Sequence, residues 1–238
     1  MSDVSTAADA IVIRAGVVGA GVAYELARHG RDVMLAGVRL ARVLDDFRVT
    51  TRPLRQEVHQ VPAPDNFLMR RAAPVTFDGD VGTYFRPEPG AGILVGGMEP
   101  ACDPLHWLED PDRTDLAVTV EGYEANTVRL ARRMPDLTVP NRPNGVVGVY
   151  DTSTDWIPIY DRTNLDGFYV AIGTSGNQFK NAPVIGQLVA HLIDAVEGGQ
   201  GHDHQPVTWR APHTGHDINL GHYSRLRTAH ASSASVLG

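Results

Sequence analysis

Apolar positions along the chain fall into several rhythms. Residues 10–13 (Ala-Ile-Val-Ile) form a short unbroken apolar run, as expected of a strand buried in a parallel sheet. Val22, Ala23, Leu26 and Ala27 then recur at helical spacing, and Gly30 is placed to end that helix. Asp32-Val33-Met34-Leu35 reads as a second strand, which completes a β-α-β unit. From Thr50 to Gly97 the rhythm changes to short β-rich runs broken by Pro and Gly, at 58–61, 74–77, 83–86 and 92–97. That pattern predicts antiparallel sheet. Residues 98–112 hold several Pro and Asp and read as loop. Residues 113–133 predict a helix, with Val120, Tyr123, Val128, Leu130 and Ala131 apolar among charges. Strand character returns at 146–150 and 167–172. A Gly-, Ser- and Asn-rich stretch over 173–183 leads into an amphipathic helix. Val184, Ile185, Leu188, Val189, Leu192 and Ile193 lie on one of its faces, and Gly198-Gly199 stops it. The remaining residues have no period and read as a loose tail.

The 238 residues suit one large domain or two small ones. A hydrophobic share of 42% beside 21% charged residues excludes a collagen-like or generally disordered chain. The formal charge of −7 argues against nucleic acid as the main partner. Cys102 stands alone, so no intrachain disulfide can form, which fits a reducing compartment. No apolar run is long enough to span a membrane, and MSDVSTAADA lacks the basic and apolar regions of a secretory signal. A cytoplasmic location is expected.

Gly16-x-x-Gly19 follows the first strand and opens the first helix. Such glycines let a pyrophosphate approach the backbone where amide N–H groups and the helix dipole stabilise its charge. Ala15, Gly16, Val18 and Gly19 are therefore candidates for cofactor binding. Two departures stand beside them. Arg14 occupies the place of the first glycine in the full G-x-G-x-x-G fingerprint. Ala36-Gly37 supplies no acid for the ribose hydroxyls. A ligand-free packing unit and an NAD(P)-binding reductase are the competing readings of this segment. Six of the ten histidines lie in the tail, including His202-x-His204 and His213-x-x-His216. They lack cysteine and acidic partners, so no dedicated metal site is expected. No Ser-His-Asp arrangement and no phosphate-binding Walker loop is visible.

Three segments, in order, carry a more specific resemblance. They are ADAIVIRAGVVGAGVAYELARHGRDVML, then RPLRQEVHQVPAP through TYFRPEPGAGILVGG, then GVYDTSTDWIPIYD through GFYVAIGTSGNQFKNAPVIGQLVAHLI. Together they resemble the FAD-dependent amine oxidoreductases, the family of sarcosine oxidases, dimethylglycine dehydrogenases, glycine oxidases and D-amino-acid oxidases. The resemblance implies that the loop Gly173, Thr174, Ser175 and Gly176, with Phe179 and Lys180, lies by the flavin. It also implies that Lys180 contacts a substrate carboxylate, a task suited to a fixed cation. Tyr84 and Arg86 alternate along a strand, share its side, and are candidates for lining the substrate face. Asn177-Gln178 stand where the family often has His-Gly. Gly148 replaces a cysteine that tethers FAD in some members, so FAD is expected to bind non-covalently. Asp155 and Trp156 are expected to shape a turn near the cofactor. The chain resembles a member with a large internal deletion after Leu35.

The expected fold is α/β: a reduced Rossmann-like FAD-binding domain with an antiparallel β substrate domain. The first is discontinuous, from residues 1–37 and 145–197; the second spans 38–144; residues 198–238 form the tail. The implied activity is oxidation of a C–N bond in a small amine or amino acid of the sarcosine, glycine or dimethylglycine type. The alternative is an inactive, truncated member that does not bind flavin productively. Exposed strand edges would then favour a homo-oligomer.

Overall fold

The computed structural model describes residues 8–13, 16–36, 46–65 and 74–230. In chain order its elements are β1 (Ala10–Ile13), α1 (Val17–Arg28), β2 (Val33–Ala36), β3 (Thr51–Pro62), β4 (Thr76–Asp78), β5 (Thr83–Glu88), β6 (Gly92–Gly97), β7 (His106–Trp107), α2 (Val120–Arg133), β8 (Gly145–Ser153), β9 (Ile159–Arg162), β10 (Tyr169–Ile172), α3 (Ala182–Glu197), β11 (Thr208–Arg210) and β12 (Asp217–Asn219). Short 3₁₀ turns occupy Pro111–Arg113 and Leu220–Tyr223. The chain divides into two compact units. One joins the described residues up to Thr51 to those from Asp151 onward, and the other is Arg52–Tyr150.

In the first unit β1 and β2 pair in parallel, with Ala10 opposite Val33 and Ile13 opposite Ala36. Ala10, Val12 and Val33 pack on the core, while Ile11 is 59% exposed on the other face of β1. Gly30 ends α1 as expected: at φ 80° it adopts a left-handed conformation that costs glycine little. The helix then packs on α3 backbone to backbone. A Cβ on Gly186 would lie 2.5 Å from the Gly21 carbonyl oxygen, and one on Gly21 would lie 2.7 Å from that of Ala182. Around this contact Val18, Val22 and Leu26 meet Ile185, Leu188, Val189 and Leu192, with Tyr160, Trp209 and Leu220 closing the core. The buried stripe of α3 differs from the expected one. Val184 is 47% exposed, because the helix turns Ala182, Gly186 and Ala190 inward to reach α1 closely.

The expected loose tail is corrected over its described part, residues 198–230. β11 and β12 form an antiparallel hairpin, with Trp209 opposite Ile218. Val207, Trp209 and Leu220 are buried, too sparsely spaced to make a period. Charge completes the anchorage. The Arg225 guanidinium donates to Asp46 at 2.6 Å, to Asp161 at 3.2 Å, and to both oxygens of Asp203 at 2.8 and 3.0 Å. Arg227 grips Asp155 with two bonds, at 2.9 and 2.7 Å. Asp161, Asp155 and both arginines are buried. Ions so placed are tolerated only when paired and fully hydrogen-bonded. Burial alone would raise the Asp155 carboxyl, yet the Arg227 guanidinium outweighs it and holds the group below its usual range.

The second unit carries the sheet β4-β5-β6-β3-β7, with β8 also pairing β3. Strands β5 and β6 are antiparallel, setting Phe85 opposite Val95 and Tyr84 opposite Gly96. Alternation sends Phe85, Ile93, Val95 and Val61 to one face, where Tyr123 and Leu130 of α2 cover them. The expected helix over 113–133 begins only at Val120, since Thr119 caps it by accepting the Gly122 N–H at 3.1 Å. The Glu57 carboxylate, on β3, accepts the Thr119 N–H at 3.0 Å and also a bond from Arg55. An anion there complements the helix dipole. His59 is buried beside it, edge-on to Tyr123 at 5.6 Å between ring centres. Among the described residues no helix is long and apolar enough to cross a membrane.

Two tests follow from this packing. Gly186→Ala should destabilise the protein by about 1–3 kcal/mol, because the added methyl meets backbone and must part the helices. A thermal melt that does not move would contradict the close approach. Acidification should act earlier than carboxylate chemistry alone predicts. Burial pushes both His59 and His202 below the ordinary imidazole value; Glu57 opposes this at His59, and Asp161 and Asp203 oppose it at His202. Below about pH 6.5 the unfolded chain therefore takes up protons that the folded chain resists, and stability falls as pH falls. Melting temperatures from pH 7.5 to 5 should decline continuously, and a flat profile would contradict the assignment.

Candidate functional site: two uncapped helix ends

Gly16 is the N-cap of α1, at φ −70° and ψ 173°. No side chain caps this helix, and its first turn holds no acid. The first-turn amides consequently have no intrahelical acceptor, and the dipole favours an anion beside them. Among the described residues a Cβ on Gly16 would meet nothing within 4 Å, so their packing does not demand glycine there. Of the other expected residues, Val18 turns its side chain into the core, and Gly19 lies inside the helix. Arg14, Ala15 and Gly37 lie outside the described residues.

The N-terminus of α3 is similar. Asn181 makes no side-chain cap, and the first turn again holds no acid. Gly21 touches the first turn of α3, while at the other end His29 bonds Asp194 at 2.7 Å. The two helices therefore run the same way, and their positive ends lie side by side.

The loop before α3 is tightly shaped. Gly173, Ser175 and Gly176 adopt φ of 64°, 49° and 80°. For a serine this conformation costs on the order of 1–3 kcal/mol. Neighbouring bonds hold it. The Asp151 carboxylate accepts the Gly173 N–H at 2.7 Å, and its main-chain carbonyl accepts the Ser175 N–H at 2.9 Å. The Ser175 hydroxyl accepts the Ser153 N–H at 3.3 Å and donates to the Gly173 carbonyl at 3.2 Å. Thr174 bridges Thr152. Beyond the loop, Gln178 is buried and accepts from the Tyr160 hydroxyl at 2.5 Å. Phe179 is 84% exposed, and Lys180 is exposed with its ammonium donating to Asn177.

Tyr84 and Arg86 belong to the other unit. They share the face of β5 opposite Phe85, as their alternation predicts. The Tyr84 ring lies across Gly96, where a Cβ would fall 2.5 Å from the phenol carbon. Burial pushes the Tyr84 phenol up, Tyr150 and Glu99 add to the shift, and Arg86 opposes it. Tyr84 is thus a neutral hydrogen-bond donor at working pH. Arg86 is exposed and donates to the neighbouring Pro87 carbonyl at 3.1 Å.

Sequence reasoning missed Asp151 and Ser153, whose alternation along β8 was the available signal. Asp155 and Trp156 do make a turn. Trp156 is left-handed at φ 62°, and Asp155 serves the ion pair with Arg227. His202 is buried, its Nδ1 accepting the Val207 N–H at 3.0 Å. A cavity of about 430 Å³ lies at the opposite, C-terminal end of α3, lined by Arg162, Tyr169 and Glu197 among others. None of the expected residues lines it.

Known proteins share this architecture. An L-proline dehydrogenase from P. horikoshii superposes at TM-score 0.52 with 16% identity, over 82% of this chain and 46% of its own. A fructosamine oxidase from Aspergillus fumigatus does so at 0.50 with 16% identity, over 73% and 44%. A glycine oxidase from Bacillus cereus reaches 0.49 with 19% identity, over 71% and 43%. At these identities the likeness is one of fold, and the chain spans less than half the length of each of these structures. Among curated proteins none matches the sequence. The family model for DAO, FAD dependent oxidoreductase, matches residues 36–192, from the end of β2 into α3. That match covers more than half of the chain, and the protein belongs to the FAD dependent oxidoreductase family.

Proposed function

We propose that the chain binds FAD non-covalently and oxidises a carbon–nitrogen bond in a small amine or amino acid of the sarcosine, glycine or dimethylglycine type. The carrying observation is the pair of uncapped, acid-free helix ends held side by side by Gly21 and Gly186. This donor set fits the cofactor, since a dinucleotide brings a diphosphate and an electron-accepting ring that turns anionic on reduction. Gly16 and the first-turn amides of α1 would take the diphosphate. Gly173, Thr174, Ser175 and Gly176, with the first turn of α3, would face the ring, and Phe179 offers apolar surface to it. Gly148 provides no sulfur for a covalent tether.

The flavin, when bound, would supply the acceptor for the hydride lost from the substrate α-carbon as its C–N bond becomes C=N. Everything else is binding and orientation by this chain. Lys180 is a fixed cation for a substrate carboxylate. Within the other unit, Arg86 with its exposed guanidinium and Tyr84 with its neutral phenol are candidates for lining a substrate face. A second reading, a family member that holds no flavin productively, draws on the chain spanning less than half the length of the solved structures it matches.

Titration of the purified protein with FAD decides between the readings. Uptake should give the visible bands of bound flavin, and acid precipitation should release all of it into the supernatant. Protein that stays colourless would overturn the proposal. Gly16→Ala should leave flavin-free stability within about 0.5 kcal/mol, because its methyl meets none of the described residues within 4 Å. The same methyl should weaken FAD binding by roughly tenfold, about 1.4 kcal/mol. Unchanged affinity would remove the diphosphate from this helix end.

A further inference from the structure

We propose that Asp151 is a positioning residue that sets the Gly173–Gly176 loop from below, so that the loop presents its backbone N–H groups to the flavin in one fixed arrangement. This rests on the flavin reading above. Three of its four residues, Gly173, Ser175 and Gly176, sit at positive φ, and Ser175 is buried there despite its Cβ. An isolated segment relaxes out of such a conformation, so something must over-determine it. The atoms nearest a Cβ on Gly173 would be those of Ser153, Thr51 and the tip of Ile159. Hydrogen bonds add direction to that packing.

Asp151 is the residue that reaches two points of the loop at once. Its carboxylate takes the Gly173 N–H and its carbonyl takes the Ser175 N–H, at 2.7 and 2.9 Å. A charged acceptor makes the first of these the stronger kind of bond. Two N–H groups, those of Gly173 and Ser175, are thereby turned inward. The Asn177 N–H is likewise committed, to the Thr174 carbonyl at 3.1 Å. Among the described residues the N–H groups of Thr174 and Gly176 have no acceptor, and they are the ones left for a ligand. Asp151 thus decides which amides of the loop are available, without itself touching the cofactor.

The test compares Asp151→Ala and Asp151→Asn with the wild type. In flavin-free protein, amide exchange at Gly173 should quicken by roughly tenfold in Asp151→Ala, as one charge-assisted bond is lost. Asp151→Asn retains an acceptor oxygen and should stay within about threefold of the wild type. In loaded protein, Asp151→Ala should weaken FAD binding by roughly tenfold and shift both the visible band and the midpoint potential, with Asp151→Asn restoring the band. Should Asp151→Ala fail to fold, Asp151→Val, which favours a strand and lacks an acceptor, takes its place. Unchanged exchange at Gly173 would overturn the proposal. So would a loosened loop with unchanged affinity, band and potential. A wild-type protein that takes up no flavin overturns the earlier reading along with this one, whereas uptake by wild type and variants alike overturns this one alone.

Discussion

The contact on which the first unit depends is made by two residues with no side chain. Gly21 and Gly186 bring the backbones of α1 and α3 together more closely than any Cβ would permit. Parallel helix dipoles repel one another mildly, so this arrangement needs something to hold it. The apolar seam from Val18 and Val22 to Leu188 and Leu192 provides it, and the bonds from His29 and Arg31 to Asp194 secure the far end. What results is two helix N-termini at one end of the pair, neither capped by its N-cap side chain, with Pro183 in the first turn of α3 contributing no N–H. In a protein without an anionic ligand, such an end is ordinarily covered by an Asp, Ser or Thr cap. Both caps are missing here.

A second constraint acts from the other end of the chain. Arg225 and Arg227 place two guanidinium groups in the interior, each against carboxylates. Such pairs contribute little net stability when compared with apolar packing, but breaking one is costly, so they specify position more than strength. Arg227 fixes Asp155, which follows Ser153 by two residues and accepts a bond from its hydroxyl. The last described segment therefore anchors the stretch of β8 on which the 173–176 loop is moulded. Two otherwise separate features, a buried ionic cluster and a strained loop, are joined through those few residues.

The sequence made the regular elements legible and the irregular ones obscure. Helices α1 and α3 announced themselves because their apolar residues recur with period and end at glycines. The strands β5 and β6 did so through alternation between Pro and Gly breaks. Residues 201–230 did not, because their burial rests on isolated anchors such as Trp209 and Leu220 and on arginines. A lone Arg-x-Arg in a polar stretch reads as solvated surface until its acidic partners, dispersed at 46, 155, 161 and 203, are seen together. The site was legible in part for the same reason. Gly16 and the Gly173–Gly176 loop carry motifs, whereas Asp151 acts through the geometry of a fold already formed.

The discontinuity of the first unit bears on how the chain reaches its native state during synthesis. Asp46 finds Arg225 across 179 residues, and His29 finds Asp194 across 165. Arg52–Tyr150 is contiguous and emerges from the ribosome whole, with its own core under α2. The strand–helix–strand segment over β1, α1 and β2 must meanwhile wait, its apolar helix face without a partner, until α3 has been made. Closing such distant pairs is slow, because loop entropy is lost before the contacts repay it. This ordering makes the early βαβ segment the natural client of a chaperone, long before any ligand is present to reward its folding.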